Sequence, residues 1–323
     1  MKRTALLSAI VAVGALSVAV AAYQQPLGGG QQQAERAIET EKLKDNLFVL
    51  RWAPGGENGG GNTAVFVMAN GVAVVDTKNP GWGQPILDAI KKLTPKPVTM
   101  IINTHTHGDH VSGNVEFPAT VDVVVHENTA ANMKKMTGRG STPEKPVPSI
   151  FEQNKGRGMP KRTFRDRMTI GSGADQIDLH YFGRGHTNGD AWVLFPALRV
   201  VHAGDIFAWN NQLPFVDAGN GGSGVELPDS LMKAHAALSK SADTIITGHS
   251  SQMTFNDLRA WADWNRSFLN EVAAAEKAGR TAEDYAKTWK APTTWPAPAN
   301  EQAAATTMKR LVGNVQAIMA ETK

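Results

Sequence analysis

The sequence predicts a mixed α/β chain of sheets covered by helices, and three observations carry that reading. Early on, "TAVFVMA-NG-VAVVDT" places two β-rich runs either side of Asn70–Gly71, the pattern of a type I′ hairpin. Further along, apolar runs of strand length alternate with helical patterns. Near the end, Leu258, Trp261, Trp264, Phe268 and Val272 recur at spacings of 3, 3, 4 and 4, the stripe of an amphipathic helix. No internal repeat is visible.

Residues 1–22 combine two cations, an apolar run and small residues, which reads as a secretory signal cleaved near Ala21 or Ala22. The run is short for a retained membrane anchor. A periplasmic or secreted protein, free of the membrane after cleavage, is therefore expected. Residues 23–44 are polar and Gln-rich and are expected to be poorly ordered. The main domain is expected over 45–252. It opens with the strand "LFVLRW" and the Gly-rich loop Ala53–Asn62, followed by the hairpin and the helix "GQPILDAIKKL". The strand "VTMIINT", the buried strand "VDVVV" and the helix "ENTAANMKKM" come next, then a Gly-, Pro- and Lys-rich loop over 137–161. Strands resume at "RTFRDRMTI", "QIDLHYF", "AWVLFP" and "RVVHAGD", and "DSLMKAHAALSK" and "DTIITGH" read as helix and strand. A helical extension fills 253–323, with Thr281 and Asp284 capping one helix and Met308, Leu311, Val312, Val315, Ile318 and Met319 striping the last.

The length of 323 residues allows a substantial core without covalent staples. There is no cysteine, which excludes disulfides, thiolate ligands and a catalytic thiol. Loss of Lys2 and Arg3 with the leader brings the formal charge from +3 to about +1. A near-neutral mature chain with no recognition motif gives no reason to expect a nucleic-acid partner.

The chemistry is concentrated in "NTHTHGDHVSGN", which holds three of the nine histidines. His105 and His107 are two apart at the end of an extended run and project to one side. Asp109 and His110 follow Gly108, where the chain bends, and point away from the first pair. One ion rarely takes four ligands from so tight a segment, so two ions with further ligands from elsewhere are the natural reading. Three more candidates follow strand ends: His186 in "FGRGHTNGD", Asp205 in "VVHAGD" and His249 in "IITGHSS". His202 is offset by three from Asp205 on its strand, so it faces the other way and is read as packing.

His-x-His-x-Asp-His, then Gly-His-Thr-x-Gly-Asp, then Gly-Asp, then Gly-His, in this order, resembles the metallo-β-lactamase superfamily over roughly residues 46–250. The resemblance implies an αββα four-layer sandwich with C-terminal helices and two metal ions at one edge. His105, His107 and His186 would hold the first ion, Asp109, His110 and His249 the second, and Asp205 would bridge them. Zinc is expected at two per chain, although manganese or iron suits the same donors. The implied activity is hydrolysis of an ester, lactone, thioester or amide by a hydroxide shared between the metals, which Asp109 orients.

Aspartate at position 205 resembles the glyoxalase II-like branches, because the resistance enzymes place Cys or Ser there. A dedicated β-lactamase is therefore an alternative reading, beside a phosphodiesterase acting on an anionic substrate and a non-catalytic metal-binding module. Asp76 and Asp190 are expected to orient the ligand histidines, and the neighbouring threonines to cap turns. Trp209, Asn211 and Phe215 are the candidates for contact with a small-molecule substrate. Between Lys134 and Arg167, ten cations face three acids. This excess reads as a solvated loop, or as attraction of an anionic substrate.

Overall fold

β3 (Thr63–Met68) and β4 (Gly71–Val75) lie at the centre of a seven-stranded sheet in a computed structural model that describes residues 36–323. The strands before them are β1 (Ile38–Lys44) and β2 (Leu47–Trp52). β5 (Val98–Ile102), β6 (Asp122–His126) and β7 (Arg162–Phe164) follow, and the sheet order is the chain order. β1 to β4 pair antiparallel, and β4 to β7 parallel. A second sheet runs β12-β11-β10-β9-β8, from β8 (Arg167–Ile170), β9 (Ile177–Tyr181), β10 (Ala191–Phe195), β11 (Val200–Gly204) and β12 (Thr244–Thr247).

The period of two in the strands decides the layering. Ala64 and Phe66 of β3 and Val193 and Phe195 of β10 face one another between the sheets, with the Phe66 and Phe195 rings 5.0 Å apart. Their neighbours point outward. Val65, Val72 and Val74 pack under α1 (Gly83–Leu93) through Ile86 and Ile90. Trp192, Leu194 and Val201 pack under α5 (Leu227–Leu238) and α6 (Phe255–Lys277). The inner strands of both sheets are buried on both faces, which gives helix, sheet, sheet and helix in four layers, the arrangement expected. Shorter helices occupy Gly108–Val111 (α2), Glu127–Met133 (α3) and Ile150–Gln153 (α4). At the C-terminal end, α7 (Ala282–Thr288) and α8 (Glu301–Glu321) share a fourth apolar cluster with α6.

Several expectations need correction. Ile38–Lys44, placed in the poorly ordered segment, is a strand antiparallel to β2. Its residues are largely exposed, so backbone pairing rather than burial holds it, and no apolar alternation marks it. The hairpin turn consists of Ala69 and Asn70, since Met68 pairs with Gly71. Neither turn residue has positive φ, so it is not type I′. "RTFRDRMTI" is not one strand: it divides at Arg165–Asp166 and contributes β7 to one sheet and β8 to the other. The expected signal segment lies outside the described residues. Among those described, no helix is long and apolar enough to cross a membrane.

Candidate metal centre

Residues 103–110 leave β5 and turn into α2, whose first turn carries Asp109 and His110. His186 lies in the turn after β9, Asp205 immediately after β11, and His249 two residues after β12. The sandwich brings these strand ends together. His105, His107, His186 and Asp205 form one group, and Asp109, His110 and His249 a second, each with its donor atoms within 4.8 Å of one another. Asp205 also joins the second group, with Oδ1 3.3 Å from His110 Nε2 and Oδ2 3.1 Å from His249 Nε2.

The outer ring nitrogens of three of the histidines are committed elsewhere. His107 Nε2 meets Asp217 Oδ2 at 2.7 Å, His186 Nδ1 donates to the Phe215 carbonyl at 2.6 Å, and His110 Nδ1 meets Asp76 Oδ2 at 2.7 Å. These bonds orient the rings, so that the other nitrogen of each turns inward. His107 Nδ1 and His186 Nε2 then confront each other at 2.9 Å, and His110 Nε2 meets His249 Nε2 at 3.3 Å. Nitrogens at such distances need a positive charge between them, a shared proton or a metal ion. His105 Nε2 is buried with no hydrogen-bond partner among the described residues. Imidazoles and carboxylates in these two groups fit two borderline divalent cations.

Burial and neighbouring histidines hold the His105 imidazole well below its ordinary range, and burial with His107 takes His186 down to about 3. Burial opposes a charge on His110 as well, but Asp205, Asp109 and Asp76 outweigh it and raise that histidine well above its usual value. His249, lying between Asp205 and Asp109, rises to about 9 against the same penalty. Asp109 is held at about 2 by His110 and His249 despite its burial.

Asp76 and Asp190 differ from each other. Asp76 holds His110 directly and accepts from the Thr104 hydroxyl at 2.7 Å, and that hydroxyl lies 3.0 Å from His105 Nδ1. Thr104, expected only to cap a turn, thus links one carboxylate to donors of both groups. Asp190 hydrogen-bonds only Thr187 among the described residues, so it shapes the turn that carries His186 and contacts no histidine. Trp209 lies 5.9 Å from the His249 ring, and Phe215 stacks on His107 at 5.6 Å. Asn211 is exposed and makes no hydrogen bond among the described residues. His202 is buried outside both groups, its Nδ1 accepting from the Gly204 amide.

The Gly-rich loop closes on the second group. A Cβ on Gly61 would lie 2.2 Å from His110 Cε1, so only glycine lets the backbone pass. The basic segment is tied into the scaffold. Arg157 and Lys161 donate to the carbonyls of Phe117, Ala119 and Val121, and Arg162 and Arg165 pair with Asp122 and Glu127. Sequence reasoning missed Asp217 and Lys78. Asp217 lies 110 residues from the His107 it touches and belongs to no motif. Lys78 is fully buried, and its signal was a lysine directly after the strand end "VVDT".

Comparison with known proteins agrees with this geometry. The metallo-β-lactamase superfamily profile matches residues 57–249, from the Gly-rich loop to the last histidine of the second group. The metallo-β-lactamase type 2 of Elizabethkingia meningoseptica is 30% identical over 184 residues, covering 55% of this chain and 64% of that protein. The 2,4-dinitroanisole O-demethylase subunit alpha of Nocardioides sp. (strain JS1661) is 28% identical over 196 residues, covering 56% and 53%. The chain thus matches less than two thirds of the length of either relative. A solved metallo-β-lactamase from Pontibacter korlensis superposes with a TM-score of 0.54 at 18% identity, over 70% of this chain and 99% of that one, which speaks for the fold alone. With the profile spanning more than half of the sequence and enclosing every donor of both groups, the chain belongs to the metallo-β-lactamase superfamily.

Proposed function

We propose that this protein is a dinuclear zinc hydrolase that cleaves a carboxylic ester, lactone, thioester or amide, and that it is exported. The convergence of seven imidazole and carboxylate side chains into two donor groups, with Asp205 in reach of both, carries the reading. His105, His107 and His186 would hold one ion, Asp109, His110 and His249 the other, with Asp205 shared. Ions bound there supply Lewis acidity and bring the pKa of a coordinated water from about 15.7 to about 7.

The chain's own groups do the rest. Asp109, held ionised, accepts a hydrogen bond from the attacking water and sets its direction. Asp76, Asp217 and the Phe215 carbonyl fix three imidazoles in the tautomer that turns a lone pair inward. Trp209 and Phe215 offer apolar walls to the substrate. Aspartate at 205, where the resistance enzymes carry Cys or Ser, favours this reading over a dedicated β-lactamase.

The test is metal analysis of the purified protein together with hydrolysis of a lactone, a thioester, a β-lactam and a bis-aryl phosphodiester, before and after chelation. About two zinc ions per chain and chelator-sensitive cleavage of the lactone or thioester are expected. Fewer than one ion per chain, with no cleavage after zinc is restored, would overturn the proposal. Cleavage of the phosphodiester alone would assign phosphoryl chemistry instead.

A further inference from the structure

Arg310, on α8, reaches the two aromatic residues that flank the candidate metal centre. Its guanidinium lies 5.0 Å from the Trp209 ring and 5.8 Å from the Phe215 ring. Trp209 is the neighbour of His249 in one donor group, and Phe215 stacks on His107 in the other. Arg310 therefore faces the mouth of the site between them.

The cation is under-used. A guanidinium carries five N–H donors. Here the one hydrogen bond among the described residues is a long contact of 3.4 Å from Nη1 to the Leu213 carbonyl, and no carboxylate pairs with it. Beyond its two ring contacts, this half-buried guanidinium has lost water without gaining an anion. Asn314, one turn further along, anchors the same loop by donating to the Pro214 carbonyl at 2.9 Å. The loop is therefore held without Arg310.

Beside the guanidinium lies a cavity of about 420 Å³, bordered by Phe215, Val216, Thr306, Lys309, Arg310 and Gly313. Gly313 sits in the interior of the 21-residue helix α8, where glycine costs about 1 kcal/mol relative to alanine. Nothing lies within 4 Å of where its Cβ would be, so packing does not explain the glycine. Its effect is to keep the cavity open. Phe215 is 43% exposed on this side, unusual for a large apolar side chain held against a ligand histidine.

We propose that Arg310, supported by Lys309, binds an anionic oxygen group of the substrate, a carboxylate or a chemically similar oxyanion, and that the groove between Phe215 and Gly313 takes the apolar arm that carries it. This rests on the proposed hydrolase reading for what happens at the metals, and supplies that reading with a substrate class. Arg310 and Gly313 are specificity residues. The bond to be cleaved would lie over the donor groups, with the anion about one aromatic ring away.

The test separates binding from hydrolysis. Binding of 4-phenylbutyrate and its neutral amide, 4-phenylbutanamide, to the metal-free full chain is measured by titration calorimetry. The acid is expected to bind at least tenfold more tightly than the amide. Arg310→Met, which keeps an unbranched apolar stem against the rings, should bring that ratio close to one, and Arg310→Lys should restore part of it. Gly313→Leu, placed in open space, should weaken the acid and the amide together by at least fivefold. Equal binding of acid and amide by the wild type, or an unchanged ratio in Arg310→Met, would overturn the proposal. If the ratio behaves as expected but the zinc-loaded enzyme cleaves no ester, thioester or lactone, the anion site stands and the hydrolase reading falls.

Discussion

Lys78 donates from its buried Nζ to the carbonyl of Gly61 at 2.6 Å, joining the strand end that carries Asp76 to the loop that lies on His110. Lys78 and Asp76 have left-handed φ values of 67° and 63°, uncommon for residues with side chains and a form of stored backbone strain. The segment 76–78 is thus bent against its preference and fastened by a lysine that reaches no solvent.

Burial lowers the Lys78 ammonium to about 7, with Arg51 acting in the same direction and Asp76 and Asp109 opposing it. An unfolded lysine titrates near 10.4. Between these values the unfolded chain binds more protons than the native one, so stability must rise with pH across that window. Lys78→Met removes this dependence. Urea denaturation at pH 7, 8 and 9 should show a wild-type slope steeper than the variant's, by at most about 1.4 kcal/mol per pH unit. Parallel slopes would show that Lys78 keeps its proton in the native state.

Asp217→Ala should weaken metal binding about 10- to 100-fold, because His107 loses the acceptor that fixes its tautomer. Asp217→Asn keeps a carbonyl oxygen at the same place and should recover part of the loss. Titration against a chelating indicator measures both. Unchanged affinity in the alanine variant would show that the His107 ring is oriented by its packing against Phe215 alone.

Gly61→Ala forces a methyl group into the His110 ring. Metal content per chain should fall by about one ion, with the first donor group still loaded, since His105, His107 and His186 lie outside the clash. Elemental analysis of the folded variant decides it: full loading would mean that the loop moves away at little cost.

Phe66 faces Phe195 between the sheets and is almost fully buried. Phe66→Ala should destabilise the fold by about 3–5 kcal/mol, measured by denaturant midpoint, while leaving the metal stoichiometry of the folded fraction unchanged.

Much of this was legible in the sequence, for physical reasons that differ by residue. β11 and β12 are largely buried and read as apolar runs, as does the buried end of β5 at Ile101–Ile102, so the strand ends that precede His105, Asp205 and His249 could be placed. The offset of three between His202 and Asp205 agrees with His202 lying in neither donor group. The supporting groups were harder to see. Asp217 and Arg310 act across long chain separations, and an Arg on an amphipathic helix looks like any solvated cation until the loop it covers is known. The stripe on α8 also misled at one position: Met308 is 46% exposed, while polar Asn314 is buried and binds the 214–216 loop. The early edge strand was invisible because its order comes from backbone pairing.

The donors of the two groups are spread from His105 to His249 along the chain, and that spread has a consequence in time. At about 5–20 residues per second of synthesis, roughly 7–29 s separate the appearance of the first histidine from that of the last. Until that interval ends the segment 105–110 lacks at least His249, and the strand β12 that precedes it is not yet in the second sheet. Arg310 arrives later still. The centre is therefore a late product of the protein's birth, available to metal only after His249 has been made and both sheets have met.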